Sequence, residues 1–210
     1  KSFHCRIHRD NFLAWFQQNS EKINEVYHLG ARTDTTELNY SVFQKLNLEY
    51  SIAIWKICTQ HSIPLIYASS AATYGLGEYN FDDNPDLIKK LRPLNAYGKS
   101  KNDFDRWVIN QNNYPPFWAG FKFFNVFGPN EFHKGRMSSV VLQAYNQIIQ
   151  KSEVRLFKSH NSEYKDGEQL RDFIYVKDVI DVLLFMMDKK LRNGIYNLGS
   201  GVARTFNDLV

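Results

Sequence analysis

The stretch "IPLIYASSAATYG" at residues 63–75 decides the fold, because an apolar run of strand length ends abruptly in small hydroxyl residues. A second stretch, "NAYGKSK" at residues 95–101, places Tyr97 four positions before Lys101. Two interpretations are open for this combination. One is a turn followed by an ordinary surface helix, and the other is a proton-transfer site for redox chemistry on an alcohol.

Short apolar segments alternate with amphipathic helical segments along the chain. The apolar segments lack the polar alternation of a half-exposed sheet, which is typical of a parallel sheet covered by helices on both faces. We therefore predict an α/β fold with a doubly wound parallel sheet. The predicted strands lie at residues 26–29, 63–69, 118–124, 171–176 and 194–201, and the predicted helices at residues 10–18, 38–61, 96–110, 137–150 and 177–190.

The composition excludes several classes of protein. The 210 residues are 43% hydrophobic with a formal net charge of +4 and no block of like charge, which argues against a nucleic-acid partner. Cys5 and Cys58 lie far apart, so we expect a reducing compartment rather than a disulfide framework. We expect a cytoplasmic protein without a membrane partner, because no apolar run could span a bilayer. The group His4, Cys5 and His8 lacks a fourth ligand nearby, so we expect no metal site.

The polar residues at the ends of the predicted strands indicate where a ligand binds. In an open parallel sheet the ligand lies beyond the carboxyl ends of the strands, and Gly30, Ser70 and Asn125 all follow such ends. Tyr97 and Lys101 share one face of a helix, where the lysine ammonium would lower the pKa of the phenol. Roughly one Tyr-x-x-x-Lys is expected by chance in a chain of this composition, so the spacing alone does not indicate a site. The evidence for a site is the serine cluster before this motif and the Gly-Pro turn after it.

Five motifs in order resemble the extended short-chain dehydrogenase/reductase family: "YASSAATYG", "YGKSK", "FKFFNVFGP", "RDFIYVKDV" and "IYNLGSG". Within that family, "FNVFGPNEFHKGRMSSV" and "LFKS" are similar to nucleotide-sugar epimerases that act at C6 of an ADP-heptose in lipopolysaccharide core synthesis. The resemblance covers nearly the whole chain. It implies a Rossmann-like fold with a smaller substrate lobe, NADP as the cofactor, an ADP-heptose as the substrate, and a homo-oligomer.

Members of this family begin with a strand, a glycine-rich G-x-x-G-x-x-G loop and a helix, and none of the 11 glycines here forms that pattern. Thr205 and Asp208 form a capping box for a helix that stops within its first turn. We therefore expect a chain truncated at both ends that lacks the first βα unit and binds NADP weakly by itself. The expected division is residues 1–128 and 171–202 for an NAD(P)-binding domain, and residues 129–170 and 203–210 for part of a substrate lobe.

The resemblance also implies roles for individual residues. Tyr97 would be one acid/base, Lys101 would hold the nicotinamide ribose, and Ser70 would bind the reacting oxygen. Lys134, in "HKG", would be the second acid/base and would also face the cofactor. The other expected cofactor-binding residues are Leu29, Gly30, Ala31, Arg32, Thr33, Asn47 and Val126. The expected substrate-binding residues, besides Ser70, are Asn125, Arg136, Gln143, Phe157, Lys158, Ser159, His160 and Arg171.

Several alternatives stay open at the level of sequence. Arg136 stands where the similar epimerases have a small residue, and residues 164–169 look like an insertion, so another nucleotide sugar is an alternative substrate. A dehydratase of the same family would carry an acidic pair where this chain has Ala71 and Ala72, which argues against dehydration. An inactive scaffold is a third alternative, although a scaffold needs neither Ser70 nor Tyr97.

Overall fold

The computed structural model describes residues 5–156, 158, 159, 162 and 164–209, and its strands form two sheets. The strands in chain order are β1 (Val26–His28), β2 (Leu65–Ser70), β3 (Trp118–Phe123), β4 (Asn125–Phe127), β5 (Leu170–Tyr175), β6 (Gly194–Leu198) and β7 (Ala203–Thr205). The larger sheet is parallel in the order β1-β2-β3-β6. Val26 pairs with Leu65 and His28 with Tyr67, so that β2 continues beyond the end of β1 to Ser70. The predicted α/β fold with a parallel sheet is confirmed.

The second sheet differs from the sequence prediction. Its order is β4-β5-β7, in which β4 and β5 are parallel while β5 and β7 are antiparallel. The segment predicted at residues 171–176 is therefore a strand, but it does not join the main sheet. The strand β7 was not predicted, because its three residues are too few to show a pattern.

The helices agree with the predicted segments except in one place. They are α1 (Arg9–Asn19), α2 (Tyr40–Phe43), α3 (Tyr50–Gln60), α4 (Ala96–Val108), α5 (Val140–Lys151) and α6 (Val176–Lys189). The helix predicted over residues 38–61 is interrupted by a π-helical turn, Gln44–Glu49. This turn inserts Asn47 towards the backbone of Arg32, a contact that periodicity alone does not reveal.

The core of the larger sheet is aromatic, and it fixes the helix that carries the Tyr-Lys pair. The ring of Phe104 on α4 lies 4.9 Å from the ring of Tyr67 on β2 and 6.4 Å from Trp55 on α3. Each of these three side chains is nearly fully buried. Edge-to-face aromatic pairs add to the burial energy, so α4 is held firmly against β2.

The chain divides into two compact units. The first comprises Lys1–Lys122 and Met186–Tyr196, and the second comprises Phe123–Phe185 and Asn197–Val210. The predicted domain division assigns residues by the ligand they would bind, whereas this division follows packing, so the former stays a prediction. Within the described residues, no helix combines the length and the apolarity needed to cross a bilayer.

Candidate active site

The hydroxyl of Ser70 and the phenol of Tyr97 meet where β2 ends and α4 begins. Asn95 caps α4 by accepting a hydrogen bond from the backbone N–H of Gly98 at 2.8 Å, and this places Tyr97 in the first turn. Ser70 begins the helical turn 71–74 by accepting from the backbone N–H of Ala72 at 3.1 Å. The side chains of Ser70 and Tyr97 are joined by a hydrogen bond.

The ammonium of Lys101 lies beneath the same strand end. Its Nζ donates to the carbonyl of Ala68 at 2.8 Å, and the residue is 6% exposed. Burial lowers the pKa of Lys101 to about 8, while the negative charge of Asp105 acts in the opposite direction. The structure thus brings Ser70, Tyr97 and Lys101 to one edge of the sheet, as the sequence predicts.

The pKa of Tyr97 corrects one expectation. From the sequence we predict that Lys101 lowers this pKa, but burial raises the pKa of Tyr97 above its usual value, and the hydrogen bond from Ser70 only partly offsets this. The physical reason is that the phenol is desolvated, while the Lys101 ammonium is directed to the Ala68 carbonyl. The phenol is therefore a proton donor in this state of the site.

A buried ion pair supports the strand end, and neither of its members was predicted from the sequence. Asp105 and Lys122 are fully buried, and their charged groups lie 2.9 Å apart. Two signals could have found them. Asp105 lies one helical turn beyond Lys101, and Lys122 is a lysine inside an apolar strand, where a charge needs a partner.

The predicted cofactor segment, residues 29–33, follows β1 and borders a cavity of about 320 Å³. Gly30, Ala31 and Arg32 line that cavity, and a Cβ at Gly30 would meet nothing within 4 Å. The side-chain amide of Asn47 is not free to bind a ligand in this cavity, because it is already hydrogen-bonded. Its amide accepts from the Arg32 N–H at 2.8 Å and donates to the Arg32 carbonyl and to Ser100 Oγ, both at 3.0 Å. Asn47 therefore shapes the segment by holding its backbone.

In the second compact unit, Lys134 lies in a loop, residues 128–139, that contains the short 3₁₀ helix Phe132–Met137 and is closed by Glu131. The carboxylate of Glu131 accepts hydrogen bonds from the Gly128 N–H at 3.0 Å and from the N–H and hydroxyl of Ser139, both at 2.8 Å. Its Oε2 lies 3.7 Å from Nζ of Lys134, whose side chain is 44% exposed. Burial alone would raise the pKa of Glu131, but these hydrogen bonds hold it below its ordinary value. Gly135, in "HKG", has a φ of 52°, which glycine adopts without strain.

Other predicted substrate- and cofactor-binding residues also lie in the second unit. Gln143 donates from its amide to the carbonyls of Arg136 at 3.2 Å and Ser138 at 2.9 Å, so it holds the end of the loop. Asn125 begins β4 and donates to the carbonyl of Asp172 at 3.0 Å. Val126 pairs with Ile174 in the sheet.

Arg171 lies exposed on β5 with its guanidinium 5.7 Å from the ring centre of Phe206. Its Nη1 donates to the carbonyl of Leu170 at 2.7 Å. Ser159 donates from its backbone N–H to Asp166 at 2.6 Å, and Lys158 is exposed. The predictions for Phe157 and His160 lie outside the described residues.

Comparisons with known proteins point in one direction. The ADP-L-glycero-D-manno-heptose-6-epimerase of Fusobacterium nucleatum is 48% identical to this chain over 100% of the chain and 64% of its own length. The enzyme of that name from Nitratidesulfovibrio vulgaris is 43% identical over 97% of the chain and 64% of its own length. The chain thus spans 64% of the length of these relatives.

Solved structures agree. The crystal structure of Helicobacter pylori ADP-L-glycero-D-manno-heptose-6-epimerase matches with a TM-score of 0.77 and 32% identity, over 94% of this chain and 59% of that chain. UDP-glucose 4-epimerase from Thermotoga maritima, with UDP-glucose, matches with a TM-score of 0.76 at 22% identity, over 96% and 62% of the two chains, which shows the fold alone. Residues 4–199 match the NAD dependent epimerase/dehydratase family. With its strand-end serine, tyrosine and lysine on such a sheet, the chain belongs to the NAD dependent epimerase/dehydratase family.

Proposed function

We propose that the protein inverts C6 of the heptose in ADP-D-glycero-D-manno-heptose, by oxidation and re-reduction, to give the L-glycero epimer. The observation that carries the proposal is the cluster of Ser70, Tyr97 and Lys101 in a chain that is 48% identical, along its whole length, to a protein named for this activity. The product would supply lipopolysaccharide core synthesis in the cytoplasm. A homo-oligomer is part of the same proposal.

The cofactor that we propose is NADP. The cavity beside residues 29–33 and the open space at Gly30 would accommodate part of a dinucleotide, and the buried ammonium of Lys101 would meet its nicotinamide ribose. Val126 and Lys134 would complete the site. When bound, NADP would supply the group that accepts hydride from the sugar carbon and gives it back to the opposite face.

Proton transfer falls to this chain's own residues. The Ser70 hydroxyl would hydrogen-bond the oxygen at C6, and either Tyr97 or Lys134 would remove its proton as hydride leaves. The ketone turns over, and the other residue then supplies the proton to the reduced oxygen. Two acid/bases are needed because inversion requires hydride to leave from one face of C6 and to return to the opposite face of the same carbon. The raised pKa of Tyr97 suits the role of proton donor, since the phenol would stay protonated until it transfers its proton to the reduced oxygen at C6.

The remaining polar residues would bind the rest of the nucleotide sugar. Arg171 would meet the diphosphate, because an exposed guanidinium forms two parallel hydrogen bonds with phosphate oxygens. Asn125 would lie between the cofactor and the sugar. The other proposed contacts are Arg136, Gln143, Phe157, Lys158, Ser159 and His160.

Proton NMR of ADP-D-glycero-D-manno-heptose, incubated with NADP and the protein in its full natural length, tests the proposal. We expect the C6 epimer to appear. An unchanged spectrum, with NADP shown to be bound, would refute the heptose assignment and leave the family chemistry for another nucleotide sugar.

Two substitutions test the two-base scheme. We expect Tyr97→Phe and Lys134→Met each to reduce inversion at least a hundredfold, because each removes one proton carrier, without lowering the melting temperature. Tyr114→Phe and Lys99→Met are matched controls, since both side chains are exposed on the first unit. Full activity in either test variant would contradict the scheme.

A further inference from the structure

A fully buried carboxylate, that of Asp105, gathers hydrogen bonds from two strands beneath the candidate active site. It accepts from the Tyr67 phenol at 3.1 Å, from Ser69 Oγ at 2.6 Å and from Nζ of Lys122 at 2.9 Å. Tyr67 and Ser69 belong to β2, and Lys122 belongs to β3. Asp105 itself lies on α4, so that one side chain ties the helix of Tyr97 to the strand that ends at Ser70.

Lys122 continues this connection to the backbone of Ser70. Its Nζ donates to Thr73 Oγ1 at 2.7 Å, and the Thr73 hydroxyl donates in turn to the Ser70 carbonyl at 2.8 Å. The ammonium also lies 5.0 Å from the ring centre of Tyr74. The turn 71–74 is therefore held at its hydroxyl and at its ring by a single lysine from β3.

Lys101 lies one helical turn before Asp105 and has little contact with water. Two titratable groups interact with it electrostatically, His28 of β1 and Asp105 of α4. The Asp105 carboxylate in turn accepts hydrogen bonds from Tyr67 of β2 and Lys122 of β3. Burial and the nearby Lys101 lower the pKa of His28 to about 3, so its imidazole is neutral at physiological pH. Asp105 is the acidic residue among these groups, and its carboxylate forms the buried ion pair with Lys122.

We propose that Asp105 and Lys122 are positioning residues of the active site: they hold the turn that carries Ser70 against α4, and Asp105 supplies the negative charge that the Lys101 ammonium faces. The catalytic part of this inference rests on the function proposed above. An ion pair with a structural role alone would not need hydrogen bonds to the hydroxyls of Ser69 and Thr73. It would also not need to lie one helical turn from Lys101. Buried pairs are often replaced by apolar residues without loss of stability, so burial alone does not explain this arrangement.

The first experiment needs no substrate. Lysine side chains of the protein are labelled with ¹³C at Cε, the Lys101 signal is identified by its loss in Lys101→Arg, and its titration is followed by NMR. We expect the titration midpoint of Lys101 to fall by about one pH unit in Asp105→Asn, because the opposing charge is gone. Tyr67→Phe is the matched control, since it removes one hydrogen bond to Asp105 and leaves the carboxylate charged. A midpoint in Asp105→Asn within about 0.3 pH unit of the wild type would overturn the proposal.

A double variant keeps the test valid if Asp105→Asn alone does not fold. Asp105→Asn with Lys122→Met removes both charges, so no unpaired lysine is left in the core. We expect the melting temperature to recover towards the wild-type value, while the Lys101 midpoint stays lowered. Recovery of both the melting temperature and the Lys101 midpoint would show that the ion pair is only structural and would refute the positioning role.

The dependence of inversion on pH separates this inference from the proposed function. In both Asp105 variants we expect the alkaline limb of kcat to move to lower pH by the same amount as the Lys101 midpoint. A shifted midpoint in protein whose wild type converts no heptose would refute the proposed function and leave Asp105 as the group that sets the charge of Lys101. A shifted midpoint with an unmoved alkaline limb would refute the link to catalysis.

Discussion

At the scale of single residues, His28 makes stability depend on pH. Its Nε2 lies 2.7 Å from Ser51 Oγ, and burial followed by the charge of Lys101 lowers the pKa of the imidazole from 6.5 to about 3. Between those two values the unfolded chain binds a proton that the native chain does not bind. The free energy of unfolding therefore rises with pH through this window, and the contribution of His28 is lost as the pH falls from about 6.5 towards 3.

We expect the free energy of unfolding to decrease by about 2 kcal/mol between pH 6.5 and pH 5 through His28 alone. Urea unfolding at the two pH values measures this decrease. In His28→Gln the decrease should be smaller by that amount, whereas His61→Gln, which alters a histidine bonded to Gln17, should keep it. Equal pH dependence in the wild type and in His28→Gln would contradict the assignment.

The order of residue types along the chain was enough to predict that Ser70, Tyr97 and Lys101 lie close together, because a strand end and a helix start meet there whatever the details of packing. Their catalytic roles stay a prediction. They were not enough to predict the direction of the pKa shift of Tyr97. That direction depends on how far the phenol is removed from water, which no local pattern records. The partners of Asp105 escaped prediction for the same reason, since they come from other parts of the chain.

At the scale of elements, the loop from Gly128 to Ser139 depends on the carboxylate of Glu131. In Glu131→Gln one carboxylate oxygen becomes an NH₂ group, which cannot accept the hydrogen bond that the Ser139 N–H donates to Oε2, and the attraction to Lys134 is lost. We expect trypsin to cleave this loop several-fold faster. Digestion at low trypsin concentration, with the products identified by mass spectrometry, measures the rate.

The matched control for the loop is Glu153→Gln. Glu153 is exposed, and its carboxylate lies 3.8 Å from the guanidinium of Arg155, so its loss should leave cleavage after Lys134 unchanged. Equal cleavage rates in Glu131→Gln and in the wild type would show that the loop does not need the carboxylate.

Strands β1, β2 and β3 were predicted from their apolar runs, and the reciprocal capping of Thr205 and Asp208 was predicted from the capping box. The π-helical turn was not predicted, because the pattern was read with the period of an α-helix, which does not reveal an i→i+5 turn. The placement of β5 beside β4 was not either. An apolar strand of six residues reads the same in either sheet, and partner choice is set by the rest of the chain.

At the scale of the whole molecule, the two compact units share structural elements. The helix α6 and the strands β3 and β6 each run from one unit into the other along the chain. All four tryptophans lie in the first unit, so tryptophan fluorescence reports its unfolding, while far-ultraviolet circular dichroism reports both units.

We expect a single cooperative transition in urea, with the same midpoint by fluorescence and by circular dichroism, because neither unit can lose these elements without disturbing the other. The comparison needs one sample followed by both probes. A dichroism signal that persists after the fluorescence change is complete would show instead that the second unit unfolds independently.

The pair of Asp105 and Lys122 also constrains how the sequence can drift over generations. A single replacement of either residue strands a buried charge at a cost of about 3–5 kcal/mol. That loss is comparable to the whole stability margin of a typical domain, about 5–15 kcal/mol. Evolution would therefore replace this pair only by changing both residues together, or after a stabilising substitution elsewhere in the protein. In a library of random single mutants, positions 105 and 122 should accept among the fewest substitutions, whether selection is for the proposed heptose inversion or merely for soluble protein.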